Sequence, residues 1–301
     1  MPLFAPPLLE KPPDARIEYS KPLTRGLDAG GFFLLQEGAG GVTRDLTRGS
    51  VGTFTNIPKW VPGRTGGPAL RFTHAAQQYV SVPMRSGYYT SPITVLAWVR
   101  RTATSSTNWD GPAGCSPSYV ATGGWWFGIA GSGTINGLFV DIYTPAKVGI
   151  ASTYVVPLNR WDLCGFTYNN TTLTVYGGGL AGGSATGSTG IAATTTPLFL
   201  GMRFAAADDV WPGDIDSVLI ASRAWSAAEV AEYYTRGYDA LLGQPRLWLA
   251  LPGDPGQLAR PNADTSIGTW TTQAGGGTNL YAALNETVAD DANYVQSIVA
   301  P

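Results

Sequence analysis

Two carboxylates one residue apart, Asp214 and Asp216 in GDIDSV, have the spacing best suited to acid–base work. On a strand, alternate residues share a face, so the two carboxyl groups would stand together as the acid and the nucleophile or base of a glycosidase do. The packing reading is stronger, because the segment lacks glutamate and its neighbours Trp211 and Val218 pack without needing chemistry, so no catalytic residue is assigned. His74 is the lone histidine. A multi-histidine metal centre is therefore excluded, and any Ser-His-Asp triad would have to use this one residue. Its surroundings, FTHAAQQY, contain no carboxylate to orient it, so it is expected in a loop at the surface or at an interface. Cys115 lies in a Gly/Pro/Ser-rich loop and Cys164 in an apparent strand. They can form at most one bridge and are expected as free thiols, Cys164 as a small core residue.

Binding chemistry is better represented. The loops SSTNWDGPAG and GGWW carry Trp109, Trp125 and Trp126, whose flat faces suit a sugar ring, while Asn108 and Asp110 can take hydrogen bonds from its hydroxyls. Trp125 with Asn108, Trp109 and Asp110 is the candidate glycan site, although at least one tryptophan of the Trp125–Trp126 pair is expected in a core. Asp208 and Asp209 are adjacent in one loop and are weak candidates for calcium, which takes about six to eight oxygen ligands and would need several carbonyls as well. The glycine-rich run GGGLAGGSATGSTG at 177–190 has no lysine and no following helix, so it cannot cradle phosphate and reads as a long flexible connection. Three Asn-X-Thr triplets at 169–172 and 285–287 read as chance matches.

The elements that must position these residues are strands. Only 13% of the 301 residues are charged, and Gly and Pro together make about a fifth, so long amphipathic surface helices are not expected. A net charge of −2 with no basic run longer than Arg100-Arg101 gives no footprint for nucleic acid or an anionic membrane. No apolar run approaches the ~18 residues of a membrane helix, and the start lacks the order of a signal peptide, so synthesis in the cytoplasm without export is expected. From 26 to 250, short stretches rich in Val, Ile, Thr and aromatics alternate with Gly/Pro/Asn/Ser breaks, the pattern of an antiparallel sandwich. ITVLAWVRR is apolar on both faces and is predicted to be central, whereas TLTVYGG alternates and should face water on one side. One short helix is predicted from the capping box Ser226-Ala-Ala-Glu229, with Val230, Tyr233 and Tyr234 on its apolar stripe and Gly237 as a left-handed stop.

The ends differ from this body. Residues 1–25 carry six prolines and read as an extended docking arm that adds nothing to the core, so removing them should leave the melting temperature within a few degrees. Residues 251–301 read as a linker and a short β-rich tail for assembly. From 254 on, the tail carries five acidic residues against one Arg. Arginine outnumbers lysine 15 to 4, which suits multi-bonded contacts between subunits.

The ordered pieces ALRFTHAAQQYVSVP, ITVLAWVRR, WWFGIAGSG, VPLNRWDLCGFTYNNTTLTVYGGG, TTTPLFLG and WPGDIDSVLIASRAWSAAEVAEYY resemble the laminin-G-like, concanavalin-A-like jelly-roll domain. The resemblance spans about 27 to 235 and implies an all-β jelly-roll sandwich with extended ends. Relatives that hold calcium use an acidic or Asn-containing edge loop. Here Thr73-His74-Ala75-Ala76-Gln77-Gln78 has no carboxylate and NNTT replaces the common Asp-Gly, which counts against calcium, and no cofactor is expected. PPDARIEYSKPLTRGL at the start and RPNADTSIGTW near the end resemble virion proteins of tailed bacteriophages. That likeness implies a non-catalytic subunit on the particle exterior, in a capsid decoration, collar or tail fibre, with other virion proteins and its own copies as partners. The alternative is a lectin module that recognises a host surface polysaccharide.

Overall fold

In the computed structural model of the protein, residues 15–104, 109–118, 123–130, 136–187, 189–204 and 209–243 are described. In chain order the strands are β1 (Gly31–Phe33), β2 (Val42–Arg44), β3 (Val51–Thr55), β4 (Lys59–Pro62), β5 (Pro68–Phe72), β6 (Tyr79–Val82), β7 (Ile93–Arg101) and β8 (Ala113–Gly114). They continue with β9 (Trp125–Ile129), β10 (Gly137–Tyr143), β11 (Lys147–Val155), β12 (Trp161–Tyr168), β13 (Thr172–Gly177), β14 (Leu180–Thr186), β15 (Leu198–Leu200) and β16 (Gly213–Ala221). A single α-helix among the described residues, α1 (Ala227–Arg236), follows the last strand.

The strands form two antiparallel sheets. The first runs β14-β13-β12-β7-β16-β5-β4, with β1 also paired to β16; the second runs β11-β10-β9-β8-β15-β6-β3-β2. Apolar residues from both sheets, including Val95, Phe127, Val140, Phe166 and Ile220, fill the space between them. A second cluster covers the outer face of the first sheet, where Leu96, Trp98, Leu163 and Leu219 meet Trp225, Val230, Tyr233 and Tyr238. This double burial is why β7 is apolar on both faces: it lies in the middle of the sheet with a core on each side. The helix is capped as expected, with Ser226 Oγ accepting from the Glu229 N–H and the Glu229 carboxylate from the Ser226 N–H. Gly237 has φ 58° and ψ −132°, a positive-φ stop outside the left-handed helical region that was expected of it.

Two expectations change. The glycine-rich segment after β13 is an edge strand, β14, which pairs along its length with β13 to make a hairpin. The small side chains that suggested flexibility let it lie against β11, where Ser152 Oγ donates to the Gly182 carbonyl at 2.9 Å. The body also begins before residue 26. Ile17 bridges to Leu242, Leu23 and Thr24 are buried, and the Lys21 ammonium donates to the carbonyls of Asp239 and Leu242. Residues 15–25 therefore pack on the second core, through Ala15, Ile17 and Leu23, instead of standing off as an arm. The remainder of the arm, 1–14, and the tail, 251–301, lie outside the described residues.

Cys115 and Cys164 are both free and fully buried. Cys115 is a core residue rather than the loop thiol its context suggested. Burial pushes the Cys115 thiol up to about 12 and the Cys164 thiol well above its usual value. Because the thiolate is the reactive form, iodoacetamide at pH 8 should leave the folded protein unlabelled and alkylate both sites in guanidinium. Stoichiometric labelling of the native protein would refute this placement.

Candidate functional site

The consecutive tryptophans of β9 point to opposite faces, as neighbours on a strand must. Trp125 faces the core, fully buried, with its indole N–H donating to the Tyr88 carbonyl at 2.7 Å and its ring edge-on to Phe166. It is not a ligand-binding residue, which corrects the candidate set. Trp126 points to the outer face of the sheet, where Phe139 and Arg203 cover its ring and leave it 1% exposed. Phe139 and Asp141 on β10 point the same way, because Leu138, Val140 and Ile142 between and beside them fill the core. Register then sets Asp141 between Trp126 on one neighbouring strand and Gly149 on the other.

These residues line a cavity of about 330 Å³ on the outer face of the second sheet, with Trp109, Lys147 and Arg203 completing the wall. Phe139 stacks on Trp126 at 5.2 Å and 23°, and half-buried Trp109 meets Phe139 edge-on at 4.6 Å. Arg203, which follows β15, lies over the Trp126 and Phe204 rings at 4.7 and 4.2 Å and pairs with Asp209 at 2.7 Å. Lys147 Nζ pairs with Asp141 Oδ2 at 2.8 Å. Asp141 is 1% exposed, and its Oδ1 has no hydrogen-bond partner. Burial pushes its carboxyl up from the ordinary range, while Lys147 draws it part of the way back. Gly149 makes room for this carboxylate, since a Cβ there would lie 2.3 Å from Asp141 Oδ1.

Of the residues named from sequence, Trp109 lines the cavity. Asp110 is buried behind it, where its carbonyl accepts from the Ile129 N–H at 2.8 Å. Asn108 and Asp208 lie outside the described residues. Asp209 is 5% exposed and engaged with Arg203, so it does not stand as an open calcium ligand. Among the described residues, no group of three or more His, Cys, Asp or Glu is placed to hold a metal. His74 opens a short 3-10 turn, His74–Ala76, and is partly exposed.

Asp214 and Asp216 are fully buried on β16, in the other sheet. Asp214 is clasped by Arg71 and Arg100, and Asp216 Oδ1 accepts from the Arg64 N–H at 3.1 Å. Both carboxylates are thus committed to partners within the protein. Phe139, Asp141, Lys147 and Arg203 were missed from sequence. The alternation of GLFVDIY marks Phe139 and Asp141 as sharing the non-core face, but no local signal brings Arg203 to them.

A family model described as the concanavalin A-like lectin/glucanases superfamily matches residues 74–231, more than half of the chain. The chain belongs to this superfamily. The matched region starts at the 3-10 turn before β6 and ends inside α1, so it takes in every strand that lines the cavity. Among solved structures, domain 4 of AbnA, an extracellular GH43 arabinanase from Geobacillus stearothermophilus solved with arabinotriose, is 16% identical. It superposes with a TM-score of 0.55 over 72% of this chain and 98% of that domain. The binding domain of paraclostridial mosquitocidal protein 1 is 13% identical, with a TM-score of 0.50 over 69% of this chain and 52% of its own. Trypanosoma rangeli sialidase in complex with sialic acid is 15% identical, with a TM-score of 0.50 over 68% of this chain and 32% of its own. The chain thus spans nearly all of the arabinanase domain, about half of the toxin domain and a third of the sialidase. At these identities the likeness is one of fold. No curated protein sequence matches this one. Among the described residues, no helix is long and apolar enough to cross a membrane.

Proposed function

We propose that the sandwich is a non-catalytic glycan-binding module, carried as a structural or adhesion subunit on the exterior of a bacteriophage particle. The observation that carries the binding reading is the cavity in which Trp109, Phe139 and Trp126 stand beside two ion pairs. The C–H face of a sugar ring packs on an aromatic face, and each hydroxyl can accept from a cation while donating to a carboxylate. Because Arg203 is balanced by Asp209 and Lys147 by Asp141, the pocket suits a neutral sugar better than a charged one. The arabinotriose-bound arabinanase domain supports the same substrate class. The non-catalytic part rests on Asp141 being, among the described residues, the one carboxylate that lines the cavity, where glycosidases use two. The phage context rests on the resemblance of the two ends of the chain to virion proteins.

A glycan array that includes arabino-oligosaccharides and sialylated chains tests the binding. A neutral oligosaccharide should bind at micromolar strength, with no release of reducing ends, and Trp109→Ala or Phe139→Ala should each weaken it about tenfold or more. Binding by neither class, or binding that both variants leave unchanged, would sink the proposal.

Gly149→Ala must push the Asp141 carboxylate away from its position beside Lys147. We expect it to weaken the same ligand by about tenfold, ~1.4 kcal/mol, with little change in melting temperature because the site lies on an exposed strand. Unchanged affinity would show that Asp141 does not touch the sugar.

A further inference from the structure

A row of side chains crosses the outer face of the first sheet, outside the cluster packed under α1. Register fixes its order: Lys59 on β4 stands opposite Arg71 on β5, Arg71 opposite Asp214 on β16, Asp214 opposite Arg100 on β7, and Arg100 opposite Trp161 on β12. With neighbouring strands about 4.8 Å apart, the row is roughly 19 Å long. Asp214 is fully buried at its centre and holds both arginines, Arg71 through Nε at 2.7 Å and Nη2 at 3.1 Å, Arg100 through Nε at 2.8 Å and Nη2 at 2.6 Å.

One carboxylate neutralises one of these two cations. Lys59 is exposed and forms no ion pair among the described residues, so the row carries a surplus of two positive charges. A guanidinium has five N–H donors, and each arginine spends two on Asp214, leaving three apiece. Arg71 and Arg100 keep 41% and 25% of their side chains accessible. At the far end the Arg100 guanidinium sits 4.8 Å from the Trp161 ring.

We propose that this row binds an anionic polysaccharide, one whose sugars carry carboxylate or sulfate groups, laid across the strands from Lys59 to Trp161. Arg71 and Arg100 are held in fixed positions by a buried anchor, so they need little further ordering to meet a stiff chain with regularly placed charges. An acidic peptide would lose more conformational freedom on the same flat surface. Trp161 adds an apolar edge of the kind a sugar ring uses. This site is on the opposite sheet from the aromatic cavity and does not depend on it.

The test titrates the full chain with polygalacturonate, dextran sulfate, neutral dextran and poly-L-glutamate at low ionic strength. One or both anionic polysaccharides should bind and neutral dextran should not, with binding weakened as salt is raised. Lys59→Gln with Arg71→Gln should weaken that binding about tenfold or more, while Arg100 still compensates Asp214. Phe139→Ala should leave it unchanged. Should the double variant fail to fold, Lys59→Gln alone touches neither partner of Asp214 and should still weaken binding several-fold. Absence of binding to both anionic polysaccharides overturns the proposal, as does equal binding by a folded variant. Poly-L-glutamate bound as tightly as the polysaccharides would also overturn it and make an acidic peptide the partner.

Discussion

Phe166→Ala is expected to lower stability by about 3–5 kcal/mol. Phe166 lies on β12, between Val95 on β7 and Val175 on β13. It is fully buried, and its ring meets Trp125 at 5.5 Å and Phe127 at 6.3 Å, so it ties the two sheets together. Removing the ring forfeits its transfer free energy and leaves a void lined by rigid aromatics that cannot collapse. For a body of this size each kcal/mol is about 2–4 °C, so the melting temperature should drop by roughly 6–20 °C. Trp98→Ala should fall in the same range by a different route, because Trp98 belongs to the second cluster, where it stacks on Tyr234 at 5.5 Å and lies 4.1 Å beneath the Arg64 guanidinium. A loss below about 1 kcal/mol at either site, measured by denaturant unfolding, would mean that the strand faces are assigned wrongly.

Deleting residues 1–25 should also be strongly destabilising, against the expectation from composition. Leu23 is 1% exposed among Leu27, Leu241 and their neighbours, and a buried leucine lost to alanine costs about 2–5 kcal/mol. The deletion further removes the Lys21 ammonium from two carbonyls, the Glu18 N–H from the Leu241 carbonyl at 2.9 Å, and the Arg25 and Pro22 carbonyls from Arg223. A combined loss near 4 kcal/mol corresponds to about 8–16 °C. Comparing a deletion of 1–14 with one of 1–25 isolates residues 15–25, and equal melting temperatures for the two would show that this segment adds nothing to the core.

The helix was legible because a capping box is closed within four residues, and the central place of β7 because its composition alone demands apolar neighbours on both faces. The Pro-rich start misled because proline content reports only that a segment cannot pair as a strand. It does not report that Leu23 and Thr24 sit against the second core. The edge strand β14 was hidden for a related reason: its glycines have no hydrophobic pattern, and its pairing is supplied by β13 and by the hairpin turn.

The sequence by itself determined the all-β sandwich, the position of the helix and the two free thiols. Alternation also required Trp125 and Trp126 to diverge. Which of them would face the core was decided by tertiary structure, because that depends on which side of β9 the opposing sheet packs. The same holds for the cavity and for the cationic row. Arg203 reaches Trp126, and Lys59, Arg71, Asp214, Arg100 and Trp161 align, only through strand register and loop closure between residues far apart in the chain. Local propensity acts over a few residues, whereas register is set by the packing of whole faces.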